Sequence, residues 1–349
     1  MNRSKLIETL EAIGKPTQTW ESPDGTKALV LPYGGRILGL FAPGDEESFF
    51  WSHPALQSAE TAREFYGGKQ WHNSGGERTW LSPEVDFFFP DFPELKQYWQ
   101  QRELDPGQYE ASRSGGTLSW TNHATLTLSR TKRKVELEIT KSLAPALNPL
   151  RYDRDGTDSA VKYAGYTLRT TLDFKGSGPA PQVGLWHLTQ LPHGGSLLVP
   201  TFFRSQPKIY MGSIGQEDLI AGDHLIRYHM RAAGEHKLGI RATAVTGRAG
   251  YLHSHGSEAS LVIRNFMVNP SGEYVDVPWT ETDNFGFAVQ ACNVNSNLGA
   301  FSELEYHVPA IGSPEGSSRS EDQSQLWAFR GPEPAVKSVA RRLLSSDLE

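Results

Sequence analysis

Cysteine is almost missing from this 349-residue chain; Cys292 is the only one. One thiol excludes an intrachain disulfide framework and a cysteine-rich zinc site. It sits in the apolar run FAVQACNV, which reads as a buried structural thiol and not as a nucleophile. Long hydrophobic runs are missing too, so no membrane span is expected. The N-terminal MNRSKLIETLEAIGK places Leu6, Ile7, Leu10 and Ile13 on one side of a short helix, without the apolar core of a signal peptide. The expected location is cytoplasmic. A basic excess is also lacking, since the formal net charge is -6, which argues against a nucleic-acid partner. The one basic run, RTKRK at 130–134, precedes the alternating KVELEIT and reads as the solvated end of a strand. There is no Walker motif, dinucleotide fingerprint or nucleophile elbow. What is present, 38% hydrophobic against 21% charged residues, is enough for a sizeable core and excludes wholesale disorder.

Most of the chain reads as strands. TQTWES and KALVLPY flank the turn signal PDGT, and RILGLFAP follows. Later segments such as KVELEITKSL, YTLRTTLDF, QVGLWHLTQL, ASLVIRNFMV, FGFAVQACNV and FSELEYHV are rich in threonine, valine and aromatics. Glycine and proline punctuate the gaps, and no βαβ alternation appears. The expected fold is all-β, a single large antiparallel sandwich in one domain over 1–349. The sandwich covers about 17–330, with helix confined to the termini at 4–14 and 334–346. GSPEGSSRSEDQS (312–324) reads as a flexible loop. DRDGTDSA (153–160) resembles half of a calcium loop but lacks its spacing, so a polar turn is expected.

Three segments carry candidate chemistry. WHNSGGERTWLSPE (71–84) sets Glu77 and Arg78 side by side between two tryptophans. Arg78 offers a rigid fork of donors, and Trp71 and Trp80 offer flat apolar faces. Together they suit a polar ligand with an apolar face, such as a sugar ring. The alternative is an ion pair from Arg78 to Glu84 or Asp86, covered by the aromatics. In VGLWHLTQLPHGG (183–195), strand alternation points Trp186 and His187 to opposite faces, and His193 falls in the following turn. In FSELEYHVPA (301–310), Glu303, Glu305 and His307 share one face, and repulsion between the two carboxylates should raise one pKa. His253 and His255 in YLHSHGS could share a metal, but no third ligand is evident and no metal is expected.

Taken in order, YGGRILGL, SGGERTWLSPE, VGLWHLTQLP and SELEYHVPA resemble the early strand, the arginine segment, the histidine strand and the late glutamate strand of the galactose mutarotase-like superfamily, the β-supersandwich proteins that include aldose 1-epimerases. The chain resembles a branch of that group apart from the standard mutarotases. The resemblance implies interconversion of sugar anomers, with Glu303 or Glu305 as base and His187 as acid. It also implies a substrate site of Arg78, Trp80, His72, Glu77 and His193 for a small-molecule or oligosaccharide ligand, with no cofactor. Two alternatives share the fold: a non-catalytic carbohydrate-binding or sensing protein, and a polysaccharide lyase or glycoside hydrolase relative.

Overall fold

Side chains that alternate between buried and exposed along KVELEITKSLAP and RSEDQSQLWAFRGP mark strands with one face against a core. In the computed structural model, which describes every residue except 154–157, 279, 282–285, 313–315 and 349, nineteen strands follow this logic. In chain order they are β1 (Gln18–Glu21), β2 (Lys27–Leu31), β3 (Arg36–Phe41), β4 (Glu77–Ser82), β5 (Glu110–Ser114), β6 (Thr117–Thr127), β7 (Lys134–Pro145), β8 (Lys162–Phe174), β9 (Gly184–Pro192) and β10 (Ser196–Pro200). Then come β11 (Lys208–Met211), β12 (Leu219–Ala221), β13 (Leu225–His229), β14 (Gly234–Arg241), β15 (Arg248–His255), β16 (Glu258–Asn265), β17 (Phe287–Ser296), β18 (Gly299–His307) and β19 (Arg319–Pro332).

The strands form two antiparallel sheets. The nine-stranded sheet runs β1-β2-β3-β4-β9-β18-β17-β14-β11, and the ten-stranded sheet runs β12-β13-β10-β15-β16-β19-β8-β7-β6-β5. Between them lies an apolar core that includes Leu191, Leu304 and Tyr306 from the first sheet and Tyr166, Leu168 and Ala328 from the second. The expected all-β sandwich is the observed architecture. Among the described residues no helix is long and apolar enough to cross a membrane.

A polar network runs through the middle of this core. Arg264 of β16 pairs with Glu77 of β4, and neither side chain is more than 1% exposed. Tyr166 donates to the same Glu77 carboxylate, and Arg264 also donates to Thr189 Oγ1 at 3.1 Å and Ser324 Oγ at 3.3 Å. Burial opposes the charge on Arg264 most strongly, but Glu77, Tyr166 and Tyr306 together outweigh it and hold the guanidinium above its ordinary pKa. Tyr306 OH donates to Asp322 Oδ2 at 2.6 Å, across the sheets.

Asp322 corrects the sequence reading of 312–324 as a loop. Residues 313–315 lie outside the described set, but β19 starts at Arg319 and turns Ser320, Asp322 and Ser324 inward. Composition suggests a loop there. Asp322 and Ser324 find a partner on the opposite sheet in Tyr306, so the strand extends. Of the 153–160 segment, 154–157 are outside the described residues; Asp158 Oδ1 accepts from Ala160 N, a local polar turn.

Helices seal the outer faces. α1 (Arg3–Glu11) lays Leu6 and Leu10 on Leu29, Leu38 and Phe41. Helix is not confined to the termini as expected: α2 (Ala59–Gly67), capped by Ser58, packs Ala62 onto the same cluster, and α3 (Glu84–Phe88) follows β4. α4 (Glu333–Leu343) packs Val336, Val339 and Leu343 on Leu261, Ile263 and Phe329 of the ten-stranded sheet.

The Glu77–Arg264 pair makes a stability prediction. Glu77→Leu strands a buried guanidinium and should cost about 3–5 kcal/mol. Glu77→Leu combined with Arg264→Met should recover most of that loss. Urea unfolding followed by near-ultraviolet circular dichroism measures both; a single variant as stable as wild type would show that the pair is not what holds the sheets in register.

Candidate functional site

The side-by-side Glu77 and Arg78 are resolved by the pleat of β4. Successive side chains leave a strand on opposite faces, so Glu77 enters the inter-sheet core and Arg78 emerges on the far face of the nine-stranded sheet. Residues directly opposite in neighbouring strands share a face. Arg78 stands opposite Leu188 and Trp80 opposite Trp186. Across β9, Glu303 faces Gln190, Glu305 faces Leu188 and His307 faces Trp186. On the other side, Cys292 lies opposite Glu303 and Gln290 opposite Glu305, and Lys237 of β14 lies opposite Cys292. Five strands (β4, β9, β18, β17 and β14) thus gather one set of polar and aromatic side chains on one face.

The contacts among them are close. Arg78 Nη1 lies 2.8 Å from Glu303 Oε1, and Gln190 Nε2 donates to the same oxygen at 2.9 Å. The guanidinium sits 4.1 Å from the Trp80 ring centre and 5.4 Å from that of Trp71. Trp186 Nε1 donates to Glu305 Oε2 at 2.8 Å, and its ring stacks on His307 at 5.4 Å. Lys237 Nζ lies 4.4 Å above the Trp186 ring and 3.1 Å from Glu84 Oε2. Asp276 completes this end, accepting from Glu84 N at 2.7 Å and from Gln290 Nε2 at 2.8 Å. Trp80 Nε1 donates to Asp105 Oδ2 at 2.9 Å, and Arg36 pairs with the same carboxylate at 3.2 Å.

These side chains are deeply set; none of Arg78, Trp80, Trp186, Lys237, Cys292, Glu303, Glu305 and His307 is more than 8% exposed. Several polar atoms nevertheless lack a hydrogen-bond partner among the described residues: Glu305 Oε1, Gln190 Oε1, Gln290 Oε1, Arg78 Nε and both ring nitrogens of His307. Buried polar atoms are normally hydrogen-bonded, so this concentration on one face makes it the candidate site. Two open cavities, of about 830 and 240 Å³, lie elsewhere and are lined by other residues. The buried face draws attention ahead of them because it alone joins paired carboxylates, unpartnered acceptors and indole faces.

Burial sets the electrostatics. Glu305 is pushed from the ordinary 4.5 up to about 8, by burial first and by the neighbouring Glu303 and Glu84, while Lys237 and the Trp186 bond act in the opposite sense. Burial disfavours the Lys237 ammonium, but Glu84, Glu305 and Asp276 together hold it well above its ordinary value. Burial and Lys237 bring His307 down to about 3, so its imidazole is neutral at physiological pH. Burial and the two glutamates push the Cys292 thiol up, as a non-nucleophilic thiol requires. The face therefore offers a carboxylate anchored to a guanidinium beside a carboxyl that keeps its proton near neutrality.

The structure brings together Arg78, Trp71, Trp80, Glu303 and Glu305, but it separates other candidates from them. His187 is a correction. It points between the sheets, stacked on Tyr306 at 4.6 Å, with Nδ1 3.1 Å from Thr79 Oγ1 and Nε2 3.6 Å from Asp322. Its neighbour Trp186 takes the site face instead. Glu77 is likewise removed by its Arg264 pair. His72 bonds Tyr33 OH through Nδ1 at 2.9 Å within a cluster of Tyr33, Phe65 and Tyr66. His193 lies in the turn after β9, where its backbone bonds His253. His253 and His255 stack at 5.6 Å, and among the described residues no group of three His, Cys, Asp or Glu side chains is placed to hold a metal. The expected Arg78 pair with Glu84 or Asp86 is also not formed; Glu84 pairs with Lys237 and Asp86 with Arg130. Trp186, Gln190, Lys237, Asp276 and Gln290 were not singled out. Trp186 and Gln190 were within reach of strand alternation once Arg78 set the face, whereas the others need the sheet order.

The titration of Glu305 is directly testable. Its folded-state value lies above the unfolded one, so its contribution to stability is full below about 4.5 and is lost as the pH rises through about 8. Carbon-13 NMR of labelled glutamate carboxyls should show one resonance titrating near pH 8 that disappears in Glu305→Gln. Lys237→Met should move that titration higher, because the ammonium favours the carboxylate. A spectrum with every carboxyl titrating in the ordinary acid range would contradict this electrostatic picture.

Known structures share the architecture. A putative aldose 1-epimerase from Escherichia coli K12 superposes with a TM-score of 0.52 at 9% identity, covering 89% of this chain and 99% of its own. The Slr1438 protein from Synechocystis sp. PCC 6803 gives a TM-score of 0.50 at 11% identity, covering 91% of this chain and 96% of its own. At such identities the likeness is one of fold, and the fold is that of the galactose mutarotase-like sandwiches. No curated protein matches the chain. Over residues 8–349 the sequence fits one family model, and the chain belongs to that family, the family of unknown function DUF6786.

Proposed function

We propose that this protein acts on carbohydrates and interconverts sugar anomers by acid–base catalysis between Glu303 and Glu305. The observation that carries the reading is the pairing of these two carboxyl groups. They lie two residues apart on one strand face, Glu303 anchored by Arg78 and Glu305 protonated up to about pH 8. Their Cα atoms are roughly 6.8 Å apart, so both carboxyls can reach the two oxygens of one hemiacetal carbon. Glu303 takes the proton of the anomeric hydroxyl as the bond from C1 to the ring oxygen breaks, and Glu305 gives its proton to that oxygen. Rotation about C1–C2 in the open aldehyde, followed by the reverse transfers, yields the other anomer. Each transfer is worth on the order of a hundredfold. Trp80 and Trp186 pack beside the two carboxyls, and the unpartnered oxygens of Gln190 and Gln290 accept sugar hydroxyls.

A non-catalytic carbohydrate-binding role is the second reading. It is favoured by His307, the histidine on this face, which lacks a proton to give near neutrality. Polarimetry of freshly dissolved hexoses and pentoses separates the two. The first reading expects acceleration that falls as the pH rises through about 8. It also expects losses of about a hundredfold or more in Glu303→Gln and in Glu305→Gln, with sugar binding by calorimetry retained. Binding without acceleration supports the second reading, and neither binding nor acceleration sinks both.

A further inference from the structure

Tyr98 sits on this site as a ligand would. Its ring lies flat on Phe88, with centres 5.5 Å apart and planes at 9°, and its hydroxyl donates to Glu84 Oε1 at 2.8 Å. Phe88 in turn packs on Trp80 at 4.6 Å, and Glu84 holds Lys237. A ring with an apolar face and an outward hydroxyl donor is what a sugar presents to an aromatic platform beside a carboxylate.

The chain around Tyr98 is held firmly at two points and loosely between them. At one end, Asp86 pairs with Arg130 through both carboxylate oxygens. At the other, the Gln101 amide donates to Phe87 O at 3.1 Å and Thr127 O at 3.0 Å. Residues 89–100 between these anchors carry no helix or strand. Their backbone ties to other parts of the fold are Trp99 N–H to Phe88 O at 2.8 Å and Pro90 O, which accepts from Lys132 Nζ at 3.0 Å; the other backbone–backbone bonds are local turns. Tyr98 and Trp99 remain 42% and 46% exposed. A segment with few buried contacts between firm anchors opens at low cost relative to the sandwich.

We propose that residues 89–100 form a flap over the Glu303–Glu305 face, latched shut by the Tyr98 hydroxyl on Glu84, and that a hydroxyl-bearing ring enters by displacing Tyr98 from the Phe88–Glu84 subsite. This rests on reading that face as the ligand site. The latch transmits its hold inward, since Glu84 contacts both Tyr98 and Lys237, and Lys237 stands opposite Cys292 in the sheet. An open flap admits water and ligand to the floor; a closed one leaves the carboxyls buried.

Cys292, the chain's single thiol, reports on the flap without any sugar. Its modification by methyl methanethiosulfonate is followed at one mildly alkaline pH in wild type, Tyr98→Phe and Tyr98→Ala. Glu84 is kept in all three, so the thiol's charged surroundings are retained. Loss of one hydrogen bond to a charged group should speed labelling by about tenfold in Tyr98→Phe, and by more in Tyr98→Ala. Low urea should leave these rates nearly flat, because a local opening exposes little surface. Equal rates in all three proteins, or rates that climb with urea as steeply as global unfolding, would overturn the flap. Since the assay involves no sugar turnover, its failure leaves the acid–base reading standing, and a failure of polarimetry with sugar binding retained leaves the flap standing.

Discussion

Two back-to-back ion pairs on β4 organise this molecule. Glu77 and Arg78 are consecutive, and the pleat sends them to opposite faces, each to a buried partner of opposite charge on another strand. A buried charge without a partner is very costly, so each pair constrains where β4 can lie. A slip of one residue would put Glu77 on the outer face and Arg78 between the sheets, reversing both charges relative to Arg264 and Glu303. The inner pair ties β4 of one sheet to β16 of the other, while the outer pair ties β4 to β18 across β9. The architecture of the sandwich and the position of the candidate site are therefore consequences of one dipeptide.

The same constraint explains how acid–base chemistry can be placed in so dry an environment. With Arg78 committed to Glu303 and Lys237 to Glu84, Glu305 has no cation of its own within hydrogen-bonding contact among the described residues. It receives a neutral indole N–H instead, and in a buried setting that is too little to hold the charge. Its proton affinity rises for that reason. Two glutamates in one strand thus acquire different chemical characters from their neighbours, not from their own sequence context. The polar residues between the sheets play a different part: His187 Nδ1 bonds Thr79 and its ring stacks on Tyr306, which donates to Asp322, and their enclosure makes them structural.

The cover over the site follows from the chain's path after β4. The aromatic stretch 87–89 supplies Phe88 to the indoles, and the return at 98–105 supplies Tyr98 and Asp105, which grip the outer and inner ends of the same aromatic cluster. Asp105 holds both Trp80 and Arg36, so the base of the covering segment is fixed to the floor even where its middle is lightly held.

Much of this was legible without coordinates. Alternation along KVELEIT and FSELEYH identifies strands, and it places Glu303, Glu305 and His307 together because a period of two is a local property of the backbone. It also separates Trp186 from His187. What alternation cannot supply is which of two faces is the inside, because a sheet buried on both sides leaves similar side chains on each. His187 was expected in the site for that reason, and Trp186 occupies it. The loop expected at 312–324 gives way to strand from Arg319 for a related cause: Asp322 and Ser324 look solvated by composition, and only Tyr306 of the other sheet and Arg264 make them interior. The sequence by itself determined the all-β class and the shared face of the two glutamates, since both rest on local periodicity. Tertiary structure alone decided that Arg78 meets Glu303, that Lys237 and Asp276 join them, and that Glu305 keeps its proton, because each depends on strands far apart in the chain lying side by side in the sheet.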